Sequence, residues 1–257
     1  MNRASLMMVC YNRLELTKRT LNNLFQNTDY PFRLIIVDNG SSDGTVDFLR
    51  ELASKNDNHG NQNFLGYHVK YNKENMGIAI GRNQCLVIAD ELKDEWLVCI
   101  DNDIECPKNW LSKCIGVLKA NPKYGMIGVN LEHVVYPIVE KNGKIFQHKA
   151  NGNLGSACMV FNKRLHKAMG FFNDYGHLYG EEDADMGARA RALNFELGYI
   201  KENGNHFGTG ELDTGEYRKF KDECRAKNID KFRQNCADYM TRKKSCYISF
   251  TDPTIEK

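Results

Sequence analysis

Three short runs of wholly apolar residues in the first part of the chain each break abruptly into a polar loop, with helical stretches between them. The runs are Leu6-Met7-Met8-Val9, Leu34-Ile35-Ile36-Val37 and Trp96-Leu97-Val98-Cys99-Ile100. A short run without polar alternation, repeated between helices, reads as a strand covered on both faces, as in a parallel sheet. The intervening segments agree. Leu14, Thr17, Leu21, Leu24 and Phe25 recur at helical spacing and predict a helix to about Asn27. Val46, Phe48, Leu49 and Leu52 mark a second helix, and a third is expected from Ile78 to about Ala89. Tyr67 to Tyr71 adds a further strand after a polar loop at Ser54 to Asn63. Strand–helix alternation of this kind predicts an α/β fold with a mostly parallel sheet. Such sheets take their ligands at the C-terminal ends of the strands, where Asp38 and the stretch Asp101-Asn102-Asp103 fall.

The second half is less regular. Helices are expected at Lys108 to Ala120, Arg164 to Met169 and from Tyr179 to Leu193, and strands at Met126 to Val129, Gly155 to Phe161 and Glu196 to Ile200. Glu132 to Gly152 reads as a hairpin or excursion, and Asn203 to Gly208 as a glycine-containing loop that can approach a ligand closely. Residues 217–247 form a basic helical tail, with ten Lys/Arg against four Asp/Glu. The expected organisation is one domain over 1–215 and a basic helical extension over 216–257.

Composition narrows the partners only a little. A formal charge of +2 demands neither nucleic acid nor a membrane. No apolar run approaches the roughly 20 residues needed to cross a bilayer, and Met1 to Ser5 carries no secretory cleavage signature. The nine cysteines include no C-x-x-C, and Cys85, Cys99 and Cys158 sit inside apolar segments, which points to reduced, buried thiols and a cytoplasmic location.

Two acidic groups carry the chemistry. Asp101 and Asp103, one residue apart, can hold a hard divalent cation and orient a diphosphate around it. The same residues also suit a plain turn. Glu181, Glu182, Asp183 and Asp185 crowd into one helix start, where the helix dipole favours anions and mutual repulsion can raise a carboxyl toward a working base.

The ordered set of Cys-Tyr-Asn-Arg at 10–13, Val-Asp-Asn-Gly-Ser-Ser-Asp-Gly-Thr at 37–45, Asn75-x-Gly77 with Gly81-Arg82-Asn83, Asp101-Asn102-Asp103, Gly-Glu-Glu-Asp-Ala-Asp at 180–185 and a late His206 resembles family 2-type inverting glycosyltransferases of the GT-A fold. The resemblance covers roughly residues 5 to 210. It implies a Rossmann-like sheet and transfer of a sugar from a nucleotide diphosphate, a UDP-sugar foremost. Carried onto this chain, it implies uracil recognition at Asp38, with Tyr11 able to stack on the base and Asn12 and Arg13 nearby. Asn75, Arg82 and Asn102 join the nucleotide-sugar site, Arg82 within reach of a phosphate. Asp103 would bind the metal and Asp101 the ribose or a metal-bound water. His206 would be a second metal ligand, favouring Mn²⁺ over Mg²⁺. The Glu-Asp-x-Asp pattern fits 182–185, making Asp183 the base, Glu182 a holder of the acceptor and Asp185 structural; the doubled Glu181-Glu182 leaves the register open by one.

Rival readings fit less well. A sugar-1-phosphate nucleotidyltransferase would carry a glycine-rich basic loop where Cys10 to Arg13 stand, and a non-catalytic sugar-nucleotide-binding module would have lost Asp103 or Asp183. The expected acceptor is a saccharide, by analogy. The basic tail could equally rest on anionic lipid headgroups or follow DNA phosphates, as in a viral-type enzyme that glycosylates hydroxylated bases.

Overall fold

The apolar runs form the middle of one sheet. In a computed structural model, which describes residues 2–55, 57–207 and 215–255, strands β1 (Ala4–Cys10), β2 (Phe32–Asp38), β3 (Phe64–Tyr71) and β4 (Trp96–Ile100) lie in the order β3-β2-β1-β4, all parallel. Helices α1 (Leu14–Asn27), α2 (Thr45–Ser54) and α3 (Ile78–Leu92) make the connections. Alternate residues of a strand point to opposite faces, so each run supplies two cores. Leu6, Met8, Leu34, Ile36, Val98 and Ile100 pack beneath α1, while Met7, Ile35, Val37, Leu97 and Cys99 pack beneath α3.

The remaining elements are β5 (Ile104–Glu105), α4 (Trp110–Ala120), β6 (Tyr124–Asn130), β7 (Ile138–Lys141), β8 (Lys144–Lys149), β9 (Cys158–Asn162), α5 (Lys163–Met169), α6 (Glu182–Ala192), β10 (Glu196–Asn203), β11 (Asn205–His206) and α7 (Glu216–Met240). The sheet continues from β4 as β9-β6-β10-β8-β7. Only β8 and β9 run against the others, so the sheet is mostly parallel, as the alternation predicts. The expected excursion over 132–152 holds the β7–β8 hairpin. Strands β5 and β11 pair separately, setting His206 opposite Ile104. Gly208, the end of the glycine loop expected at 203–208, lies outside the described residues.

The basic tail is packed onto the fold. Tyr239, buried in α7, donates its hydroxyl to Asp185 at 2.9 Å. Asn235 donates to the Tyr175 hydroxyl, and Asn228 to the carbonyls of Tyr179 and Gly180. Farther on, Ile248 pairs its backbone with Met169 and Phe171, and Asp252 accepts from Gln84. Among the described residues, no helix is long and apolar enough to cross a membrane.

Candidate active site

Strand β4 ends beneath a cleft of about 910 Å³ and delivers Asp101 and Asp103 to its floor. Asn102, between them, turns the other way and donates to Thr17 of α1 at 2.9 Å. The β5–β11 pairing brings His206 alongside, its Nε2 3.5 Å from Asp103 Oδ1. One ligand atom from each of Asp101, Asp103 and His206 lies within 4.8 Å of the others. Two carboxylates and an imidazole converging in this way are a donor set suited to Mn²⁺ or Mg²⁺. Burial and the neighbouring Asp101 push the Asp103 carboxyl above its ordinary range, against the pull of His206 and Arg13. A cation at this point would remove that repulsion.

Arginines complete the floor. Asn12 and Arg13 both adopt left-handed backbone, with φ of 57° and 64°. That conformation is uncommon outside glycine, and it is held here by reciprocal bonds to the next loop. Asn12 N–H donates to Ser41 Oγ, and Asn12 Oδ1 accepts from Ser42 N–H. The turn sends Arg13 Nη1 to Asp103 Oδ2 at 2.7 Å. Arg82, buried one turn into α3, donates to Asp101 at 2.8 Å and to Glu182 at 2.7 Å. Burial opposes its charge, but those two carboxylates more than reverse the effect, so it stays protonated. The sequence offered Arg82 to a phosphate; the fold places it between the two acidic groups.

The opposite wall is the start of α6. Glu181 stands in left-handed backbone and meets Arg225 of α7 at 3.2 Å. Glu182 is buried against Arg82, and desolvation together with the adjacent Asp183 pushes its carboxyl up to about 7. Asp183, partly exposed, faces the cleft; its Oδ2 accepts from the Ser156 N–H at 3.2 Å and its Oδ1 from the Ala184 N–H at 2.6 Å. Asp185 points away into the core, where it accepts from Tyr175, Tyr239, Asn173 and Arg189.

Of the residues singled out in the sequence, Tyr11, Arg13, Asn75, Arg82, Asp101, Asn102, Asp103, Glu182, Asp183 and His206 line this one cleft. Asp38 and Asn12 stand behind its wall. Asp38 is fully buried; its Oδ1 accepts from Gly40 and Ser41, while its Oδ2 has no hydrogen-bond partner among the described residues. Asn39 reaches the wall beside it. Asn75 closes a tight turn onto Gly77, whose φ of 87° suits glycine and whose missing Cβ leaves room for the Leu178 backbone. Sequence reasoning missed Lys149, Asn153 and Tyr199, which belong to no motif, and Phe220, Lys221, Arg225 and Phe232 of α7, which all line the cleft.

A sheet of this topology with a carboxylate–imidazole cluster at its strand ends and acids across the cleft defines a glycosyltransferase of the GT-A class. The family model for glycosyl transferase family 2 matches residues 5–184, and the chain belongs to that family. The uncharacterized glycosyltransferase YfnE of Bacillus subtilis (strain 168) is 33% identical over 114 residues, covering 44% of this chain and 26% of that protein. The mannosyltransferase PcManGT from Pyrobaculum calidifontis, solved in complex with GDP-Man and Mn²⁺, superposes with a TM-score of 0.67 at 18% identity, over 95% of this chain and 65% of that one. GalNAc-T7, solved with UDP, GalNAc and Mn²⁺, gives 0.64 at 12% identity, over 82% and 44% of the two chains. At these identities the two structures show the fold alone. The chain thus spans about a quarter of its curated relative and less than two thirds of the mannosyltransferase.

Proposed function

We propose that this glycosyltransferase is metal-dependent and inverting, moving a sugar from a nucleotide diphosphate, a UDP-sugar foremost, to a saccharide hydroxyl. The observation that carries the reading is the convergence of Asp101, Asp103 and His206 on the floor of a cleft whose opposite wall presents Asp183. Asp103 and His206 would hold Mn²⁺ or Mg²⁺, with Asp101 toward the ribose or a metal-bound water. The ion, when bound, supplies positive charge to the departing diphosphate. Arg13 fixes the Asp103 carboxylate by one oxygen and leaves the other turned toward His206. Tyr11, 48% exposed at the rim, is free to stack on a base. The Asp38 Oδ2, buried and without a partner among the described residues, supports a role in base recognition.

Inversion needs a base on the face opposite the leaving group, taking the proton from the acceptor hydroxyl as its oxygen attacks the anomeric carbon. Asp183 fills that role by position: its carboxylate borders the cleft, whereas Glu182 is engaged by Arg82 and Asp185 is turned into the core. Glu182, with its raised affinity for a proton, holds the acceptor or the α6 start in place. PcManGT and GalNAc-T7 were solved with Mn²⁺ and with a nucleotide or nucleotide sugar, which supports the same ligand class here. A thermal-shift panel of UDP-, GDP-, CDP- and dTDP-sugars with and without Mn²⁺ tests the reading. One Mn²⁺-dependent hit is expected, and silence across the panel would overturn it.

A further inference from the structure

Toward Asp183 the cleft is lined by a cation, Lys149, that meets no carboxylate among the described residues. Lys149, the last residue of β8, lines the cleft together with Ser156 and Tyr199. Its ammonium donates to the Tyr136 hydroxyl at 2.7 Å, lies 4.3 Å from the centre of that ring and 5.8 Å from that of Tyr199. It pairs with no acid among the described residues. The Tyr136 hydroxyl and the two rings are neutral partners that hold the cation without neutralising it, so its charge remains available to a ligand.

The mount is built into the fold. The two rings lie against each other, 5.4 Å apart and tilted by 30°. Gly128 on the neighbouring strand leaves room beside the Tyr199 ring; a Cβ there would stand 2.6 Å from the Cys158 carbonyl oxygen and 3.3 Å from that ring. Arg191 of α6 donates to the Lys149 and Gly152 carbonyls, at 2.7 and 2.6 Å, so the backbone of Lys149 is fastened to the helix that starts with Glu182 and Asp183. Ser156, which holds Asp183, lies on the connection between Lys149 and β9. Among the described residues, the acids on this part of the wall are Asp183 itself and Glu132, which is exposed at the rim.

We propose that Lys149 is an acceptor subsite for an anionic group, so that the saccharide accepting the sugar carries a carboxylate or a phosphate next to the hydroxyl presented to Asp183. This rests on the glycosyltransferase reading above and adds the class of acceptor. An ammonium held by neutral partners discriminates an anion from a neutral isostere by about tenfold or more, since hydrogen bonds to charged groups are the stronger ones.

The experiment uses the full chain with the donor and Mn²⁺ identified by thermal shift. Nucleotide release is followed with three classes of acceptor at matched concentration: neutral oligosaccharides, uronate-containing oligosaccharides and oligomers of glycerol phosphate. Stimulation by one anionic class, about tenfold above the neutral class, is expected, and which class responds tells carboxylate from phosphate. Lys149→Met should abolish that preference and Lys149→Arg should retain most of it. A donor shift accompanied by response to neutral oligosaccharides alone, or to none of the three, overturns the inference, as does an undiminished preference in Lys149→Met. Absence of any donor shift is the separate failure of the underlying reading.

Discussion

Two groups of carboxylates face one another across the cleft, and the chain builds them on opposite principles. Asp101 and Asp103 follow a strand and are separated by Asn102, which turns away to Thr17; the two acids converge with His206 on one point. Glu181, Glu182, Asp183 and Asp185 open a helix, where each residue is rotated by about 100° from the last. They disperse. Glu181 meets Arg225, Glu182 meets Arg82, Asp183 faces the cleft beside Ser156, and Asp185 enters a buried knot with Tyr175, Tyr239 and Arg189. Acids in a turn can share one ligand, whereas acids at a helix start are given separate tasks. Arg82 bridges the two groups and keeps their charges from acting on each other unscreened.

The comparison breaks most visibly at Asp183. Asp183→Asn keeps the shape of the wall and removes the proposed base, so turnover is expected to fall by about 10²–10⁴-fold while Mn²⁺-dependent donor binding persists. Single-turnover sugar transfer alongside donor thermal shift measures both, and near-normal transfer would move the base to Glu182. Asp185→Ala tests the neighbour two residues on. It should cost stability rather than chemistry, about 3–5 kcal/mol, because Arg189 would be left buried without its carboxylate. Urea unfolding reads this directly, and a stable but inactive variant would contradict the division of tasks. On the other wall, Asp103→Ala should abolish the metal-dependent part of nucleotide binding. Saturating UDP with Mn²⁺, at about 100 times its dissociation constant, stabilises a protein by about 2.7 kcal/mol, and that increment should vanish. A chelator should do the same to the unaltered chain.

Much of the first half was legible because its signals are local. Wholly apolar runs such as Leu34 to Val37 have no polar face to leave outside, so they belong in the middle of a sheet. The direction of β9 was not legible, since Cys158 to Phe161 reads equally apolar whichever way it runs. Nor was the two-residue pairing of β5 with β11, although it is what carries His206 to Asp103. The packing of α7 was hidden for a different reason: its buried stripe includes Asn228 and Asn235, polar side chains whose burial depends on bonds to partners remote in sequence. At the site, the motifs named residues that the fold brings to one cleft, but not what surrounds them. Arg82 has two carboxylate partners that spacing alone could not foretell, one of them a hundred residues away, and Asp38 lies behind the wall that Asn39 reaches.

The finest test of the dispersed helix start is pH. Glu182 is pushed from 4.5 up to about 7 by burial and by Asp183, with Arg82 pulling the other way. Between those two values the folded chain binds a proton that the unfolded chain has released, so this group makes stability fall as pH rises through that window and contributes no further slope above it. Glu196 has the opposite sign in a different window. Its bonds to Lys123, Tyr124 and Lys141 outweigh partial burial and draw it down to about 2, so its contribution is present above 4.5 and is lost only as pH falls toward 2. Within the window between 4.5 and 7 Glu182 contributes a falling slope, while His68, held below its ordinary range by burial and Arg33, contributes a rising one, so only comparison with a Glu182 variant isolates the Glu182 share. Glu182→Gln cannot ionise, and its stability relative to the unaltered chain should improve steadily across that interval, as read by urea unfolding at a series of pH values. An unchanged slope would place Glu182 among ordinary solvated acids, and the helix start would then be capped by charge rather than divided by task.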